Sequence, residues 1–307
     1  MANLKTWFVI VNPTSGNSSG KKKWPKIKDL LKTYGFSIQY AFTEFDKHSG
    51  QIVKTAIEKG FINIISVGGD GTLHNIVNGI MQQRNTPSTN INVGVIPIGT
   101  GNDWIKTHNI PMDTEKAIQL IKKGNTKLQD VGKIEFANQD KKPVYFINLA
   151  GVGFDGHVVS NIEKYKHFGA LSYLIGVLLG LTSFKNFDSK VLINSKEIYG
   201  KTLMVLIGLC KYSGGGMQLT KSPNPFDGLF DVSIAKNFSK IDVIKNIFKI
   251  FNGNIVKYKK VETHKSTKVI VEIIEENQPF IQADGELVGK GDISVSLVPK
   301  CFSFYGN

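Results

Sequence analysis

The chain has 307 residues, 41% hydrophobic and 21% charged, which is ordinary for a globular protein and long enough for two separately cored domains. No run of about 18 uninterrupted apolar residues is present, which excludes a spanning helix. Two cysteines, Cys210 and Cys301, without paired spacing exclude a disulfide or zinc framework. The formal charge of +13 is almost all lysine, Arg84 being the sole arginine. That balance disfavours nucleic acid, whose readers use arginine forks or aromatics interleaved with basic residues. It suits an anionic lipid surface, and equally a plain solvated face.

Taken in order, Trp7–Val11 reads as a strand running into Asn12-Pro13-Thr14-Ser15-Gly16, and Lys21–Tyr34 has helical spacing. Phe36–Phe42 is the next strand and Ser49–Lys59 the next helix. Ile62–Val67 is a third strand, entering Gly68-Gly69-Asp70-Gly71-Thr72 ahead of the helical stretch Leu73–Gln82. Val93–Pro97 leads into Gly99-Thr100-Gly101-Asn102-Asp103, with Thr114–Lys122 helical beyond it. This alternation predicts a parallel sheet with helices on both faces. After Asp130-Val131-Gly132 strand-like runs crowd together: Gly132–Phe136, Val144–Ala150, Lys190–Ile193, Leu203–Leu209, Leu229–Ala235, Lys268–Ile274, Pro279–Gln282 and Ile293–Val298. The expected fold is therefore α/β, with an N-terminal three-layer nucleotide-binding domain over residues 1–132. A largely antiparallel β-sandwich domain is expected over 133–307.

Three predicted strands end in small, hydroxylated, glycine-containing loops. In a parallel sheet such ends gather along one edge, where ligands bind. Glycine lets a ligand reach backbone amides, and the unpaired N–H groups of a helix's first turn suit phosphate. Asp70 adds a carboxylate able to hold a metal or a hydroxyl. Any one of these turns is equally a plain strand-to-helix connection; three together are harder to explain that way. Gly16–Lys22 is not a Walker A loop, since three residues separate its glycines and Lys22 stands where Ser or Thr is required. The dinucleotide GxGxxG and the protein-kinase HRD and DFG motifs are missing too.

The set NPTSG (Asn12–Gly16), GGDGT (Gly68–Thr72), GTGND (Gly99–Asp103), GGGM (Gly214–Met217) and DGE (Asp284–Glu286) resembles the diacylglycerol kinase catalytic-domain family, in order and across nearly the whole chain. That family includes bacterial soluble diacylglycerol kinases and the sphingosine and ceramide kinases. GGDGT alone also occurs in NAD kinases, so the specificity lies in the set. The resemblance implies an ATP- and magnesium-dependent lipid kinase that phosphorylates diacylglycerol to phosphatidic acid. A sphingoid base, ceramide or phosphatidylglycerol stays open as acceptor, as does a catalytically silent regulator, against which the presence of Asp70 and Glu286 argues. It also implies two lobes, with nucleotide in the cleft, lipid approaching the second lobe, and the extreme C-terminus returning to the first.

By the same resemblance the nucleotide site comprises Asn12, Pro13, Thr14, Ser15, Gly16, Thr43, Gly68, Gly69, Asp70, Gly71, Thr72, Leu73, His74, Thr100, Gly101, Asn102 and Lys106. Asp70, Asp103 and Asp130 would form a water-linked acidic network around magnesium, an ion that prefers oxygen ligands and keeps several waters. Glu286 is the implied catalytic base, with Asp284 shaping its turn and supporting the metal network; a surface hairpin is the local alternative. Asn224, Asp227 and Leu229 match a structural magnesium stretch and are equally an Asp-Gly turn before a strand. Departures from the family pattern are Asn75 after His74, Lys106 where arginine is frequent, and Asn17 where some relatives have lysine. Asp70→Ala is expected to abolish turnover and leave the fold intact.

Leu171–Phe184 is apolar almost all round, either a buried core helix or the lining of an acyl-chain entrance. Ile241, Ile244, Phe248 and Phe251 repeat at helical spacing among Lys240, Lys245, Lys249, Lys257, Lys259 and Lys260. Such a stripe lies on an anionic membrane or, more commonly, faces its own core. The expected setting is cytoplasmic and peripheral to the inner membrane face, with no signal-peptide pattern at the N-terminus. Nothing in the sequence sets the oligomeric state, and a homodimer is kept open.

Overall fold

The computed structural model describes residues 6–99, 101–137, 141–162, 180 and 183–307. The chain divides into two compact units, residues 1–129 with 300–307, and residues 130–299.

The first unit is built on four parallel strands, β1 (Thr6–Val11), β2 (Ser37–Phe42), β3 (Asn63–Gly68) and β4 (Asn92–Pro97), in the order β4-β3-β1-β2. β3 and β4 are buried on both faces after their first residue, as helices on either side of a parallel sheet require. The helices are α1 (Ser15–Thr33), α2 (His48–Glu58), α3 (Asp70–Gln82), α4 (Asp103–Thr107) and α5 (Thr114–Lys123). Trp24, Ile27 and Leu31 of α1, with Ile118 and Ile121 of α5, cover Val9, Val11, Ile65 and Val67. α2 and α3 pack on each other and against β1 and β3. Residues 303 and 304 add a short fifth parallel strand beside Asn92 and Val93 of β4. That addition is fixed by Ser303 Oγ donating to Asn92 Oδ1 at 2.7 Å and by the Tyr305 hydroxyl donating to Asn63 Oδ1 at 2.9 Å. Burial pushes the Tyr305 phenol up to about 12, so it stays a donor at any ordinary pH.

α1 starts at Ser15, six residues before the helix expected at Lys21, so the last two residues of NPTSG form its first turn. Serine and glycine argue against a helix there. Tertiary contact overrides them, because a Cβ on Gly16 would strike the Ile98 carbonyl and one on Gly20 the Asn12 carbonyl.

The second unit pairs its strands antiparallel. They are β5 (Thr126–Phe136, which begins in the first unit), β6 (Val144–Phe146), β7 (Leu149–Gly153), β8 (Phe187–Ile193), β9 (Lys196–Gly208), β10 (Phe230–Lys236), β11 (Val261–Ser266), β12 (Lys268–Ile273), β13 (Phe280–Ala283), β14 (Glu286–Lys290) and the first part of β15 (Ile293–Tyr305). The order is β14-β13-β7-β9-β8-β12-β15, with β10 joining β9 to β11. Burial alternates strictly along β8, and Val191, Val205, Ile207, Val232, Val269 and Val295 fill the core. Helix α6 (Phe154–Ile162) follows β7.

The expected strand Val144–Ala150 is two strands, broken where the backbone amides of Ile147 and Asn148 turn to Asp284. β11, β14 and α6 were not expected, and β9 begins seven residues before the expected Leu203. Most of Leu171–Phe184 lies outside the described residues. Among the described residues no helix is long and apolar enough to cross a membrane.

Candidate active site

The three glycine loops of the first unit meet at the C-terminal end of its sheet, glycine against glycine. A Cβ on Gly99 would stand 2.6 Å from the Gly69 Cα, so GGDGT and GTGND approach at backbone contact. Asn12 joins the first loop to the second by donating from Nδ2 to Thr72 Oγ1 at 2.9 Å. Its Oδ1 accepts from the Thr14 amide at 3.0 Å and from the Thr14 hydroxyl at 2.8 Å. The Thr43 amide donates to Val11 O at 2.9 Å, which sets Thr43 at the same sheet end. Gly68 ends β3, Ser15 and Gly16 open α1, Gly71 lies in the first turn of α3, and Pro13 and Gly101 lie in the connections, while Thr100 lies outside the described residues.

Asp70 ties the loops together. Its carboxylate accepts the Asp103 amide at 2.9 Å and the Trp104 amide at 3.3 Å, so the side chain of one loop caps the short helix that opens the other. Asp103 is buried, and its Oδ1 is paired with Lys106 Nζ at 2.8 Å. Asn102 holds the left-handed conformation the turn needs, with φ of +50°, and its side-chain amide donates to Gly99 O at 2.5 Å. Leu73 and His74 are buried, the latter bonded to Asn78, so they support the loop from behind.

Asp130 falls in the second unit. Its Oδ2 accepts the Gly228 amide at 2.8 Å and its own amide donates to Pro225 O at 2.9 Å. It therefore belongs with the Asn224–Leu229 turn. There Asn224 Oδ1 accepts the Phe226 amide at 3.1 Å, and Asp227 Oδ1 accepts the Leu229 amide at 3.1 Å. Asp227 Oδ2 is paired with Lys265 Nζ at 3.0 Å. The exposed Lys265 ammonium thus neutralises Asp227, and a cation bound at this turn would have to displace it.

The DGE turn joins β13 to β14. Asp284, at φ of +52°, accepts three consecutive amides on its carboxylate, from Ile147 at 3.1 Å, Asn148 at 2.8 Å and Leu149 at 3.2 Å. Glu286 opens β14, half-buried, two residues beyond this anchor. Gln282 fixes the turn from the other side, accepting the Gly285 amide on Oε1 at 2.9 Å.

Sequence reasoning missed Asp155. Gln282 Nε2 donates to its Oδ2 at 2.8 Å, while Oδ1 is buried with no hydrogen-bond partner. Burial raises this carboxyl to about 6, with the Gln282 bond opposing the rise. The available signal was an aspartate in the first turn of a helix after a strand, the same arrangement as Asp70.

Residues 6–134 match the diacylglycerol kinase catalytic domain, and residues 148–305 match the YegS C-terminal NAD kinase beta sandwich-like domain. The two together define an enzyme of the lipid-kinase class. The chain belongs to the diacylglycerol kinase catalytic-domain family. It is similar to proteins named diacylglycerol kinase from Staphylococcus epidermidis, 30% identical over 92% of this chain and 86% of that one. The similarly named Bacillus subtilis protein is 28% identical over 93% and 91%. A crystal structure of a diacylglycerol kinase from Bacillus anthracis has the same fold, with a TM-score of 0.72 and 21% identity over 100% of this chain and 98% of that one.

Proposed function

We propose that this enzyme transfers the γ-phosphoryl group of ATP to the free hydroxyl of diacylglycerol, giving phosphatidic acid, at an anionic membrane surface. The observation that carries the reading is the convergence of three glycine loops, whose backbone amides and Thr14 and Thr72 hydroxyls surround one sheet end. Donors fixed before the substrate arrives need little reorganisation as charge shifts in transfer. The names of the relatives supply the acceptor class, and the sequence-level set of motifs agrees with it.

Glu286 takes the role of base. The lipid hydroxyl oxygen bonds to the γ-phosphorus, the bond from that phosphorus to the departing ADP oxygen breaks, and the hydroxyl proton passes to the Glu286 carboxylate. Asp284 keeps Glu286 in place by holding the turn to β7. Magnesium, when bound, neutralises phosphate charge. Among the described residues no three acidic, histidine or cysteine side chains gather closely enough to enclose an ion. The all-oxygen pair Asp70 and Asp103, each already anchored by protein donors, fits an ion held through water.

The test is phosphate transfer from labelled ATP with magnesium to a panel of diacylglycerol, sphingoid base, ceramide and phosphatidylglycerol. Labelled phosphatidic acid is expected. Transfer to another member alone would replace the acceptor, and transfer to none would remove the kinase reading.

A further inference from the structure

The segment from Lys240 to Ile250 has two apolar faces. It is a helix, Lys240–Asn246, running directly into the 3₁₀ turn Ile247–Ile250. Val243, Ile247 and Ile250 point inward and roof an apolar cavity of about 80 Å³, floored by Phe154, Leu206 and Met217. This is the stripe a surface helix needs for its own packing. The stripe singled out in the sequence lies on the other side. Phe248 is 77% exposed, Ile241 62%, Ile244 55% and Phe251 38%. The expectation that it faces its own core is overturned, because Val243, Ile247 and Ile250 already fill that role.

The charges around the outward stripe are of one sign. Residues 237–260 contain six lysines and one acidic residue, Asp242. Lys245, Lys249, Lys257 and Lys259 are exposed. Asp242 does not offset them outwardly, because its carboxylate is consumed inside the segment. It closes the capping box with Ser239, accepts the Tyr258 hydroxyl at 2.6 Å, and pairs with Lys260 at 2.6 Å. Lys260 and Tyr258 hold it well below the usual carboxylate range. The segment is also pinned, with the Gln218 amide donating to Ile250 O at 2.7 Å and its side chain to Phe251 O at 3.0 Å. Gln218 directly follows the GGGM motif, which places that motif behind the segment.

We propose that Ile241, Ile244, Phe248 and Phe251 form the face by which this protein docks on an anionic bilayer, the aromatic and aliphatic side chains entering the headgroup boundary and the lysines meeting lipid phosphates. A rigid apolar stripe ringed by uncompensated lysine is the pattern of an interfacial helix. A second copy of this chain is the poorer occupant, since it would bring the same lysines against themselves. The proposal rests on the reading of a membrane lipid as substrate, and it puts the roof of the apolar cavity at headgroup level.

The experiment uses the full chain without ATP and with vesicles lacking diacylglycerol. Flotation on phosphatidylcholine vesicles, with and without phosphatidylglycerol, compares wild type with Ile244→Asp/Phe248→Asp. Both positions are exposed, so the melting temperature should hold. Loss of binding by about tenfold or more is expected for the variant on anionic vesicles, along with weak binding of wild type to neutral ones. Cys210 and Cys301 are buried, so a polarity-sensitive dye on Phe248→Cys labels one site and should shift to an apolar signal on binding. Wild-type binding by the double variant, or a dye that stays in water on vesicle-bound protein, overturns the proposal. So does vesicle-free dimerisation abolished by the double variant, which would make the face a contact between copies. Docking without transfer to a short-chain diacylglycerol in solution would instead sink the kinase reading alone.

Discussion

Asp284 Oδ1 accepts the backbone amide of Asn148 at 2.8 Å, and the amides on either side of Asn148 meet the same carboxylate. Three donors converging on one charged group mark Asp284 as the anchor of its turn, two residues from the base assigned to Glu286. In Asp284→Asn the side-chain NH2 must face at least one of those amides. Charge-assisted bonds of this kind contribute about 1.5–3 kcal/mol, so a loss of that order is expected in urea unfolding of the second unit.

Glu286→Gln should behave in the opposite way. Its stability should match wild type, ATP affinity should hold, and single-turnover transfer should fall by roughly 100- to 10,000-fold, the usual range for a general base. If Glu286→Gln transfers at the wild-type rate, the base lies elsewhere.

Asp70 supports more structure than a loop carboxylate between glycines suggests. Because it caps the first amides of α4, Asp70→Ala should lose stability by about 1 kcal/mol as well as turnover. Asp70→Asn keeps one acceptor and should recover part of the melting temperature without recovering transfer. Identical melting of Asp70→Ala and wild type would count against the cap.

Gly99→Ala tests the contact between loops. The new methyl would sit 2.6 Å from the Gly69 Cα, a backbone atom that cannot rotate away. A folded protein with ATP affinity reduced at least about tenfold is expected, since one lost phosphate contact of about 1.4 kcal/mol gives that factor. Unchanged affinity would show that the two loops can separate without harm to the nucleotide site.

Two buried groups give opposite pH slopes. Burial raises the folded Asp155 carboxyl to about 6 from its ordinary 3.8. Between those values the folded state holds the extra proton, so stability falls as pH rises, by at most roughly 3 kcal/mol, and stays lower above pH 6. Burial lowers His108 to about 3 from 6.5, so the unfolded state holds the extra proton and stability is lost as pH falls from 6.5 toward 3. Asp155→Asn should therefore gain on wild type as pH rises, and His108→Phe as pH falls. Urea unfolding from about pH 4 to about pH 8 checks both, and parallel curves for Asp155→Asn and wild type would mean that the carboxyl is solvated.

The strand-end motifs were legible because phosphate chemistry demands glycine, hydroxyl and carboxylate together, a combination that ordinary turns seldom need. The start of α1 was not, since Ser15 to Gly20 favours a loop until Ile98 and Asn12 pack against its glycines. The outward stripe was visible as a stripe, but periodicity carries no sign. Only Val243, Ile247 and Ile250 show which side is covered. The resemblance groups Asp130 with Asp70; its bonds to the turn at Pro225 and Gly228 join residues nearly a hundred positions apart, which no spacing reveals. Asp155 and Gln282 work through pairing across β13 and α6, a relationship no local spacing encodes.

The fifth parallel strand of the first unit has a consequence for synthesis. Residues 303 and 304 complete a sheet begun at residue 6, and Phe304 closes the ring cluster with Trp104 and His108. A ribosome must therefore deliver all of residues 130–299 before the first unit can shut, so its exposed β4 edge waits, open to other strands, while the second unit has its chain to hand. The nascent protein should mature back to front, its first-made half finishing last.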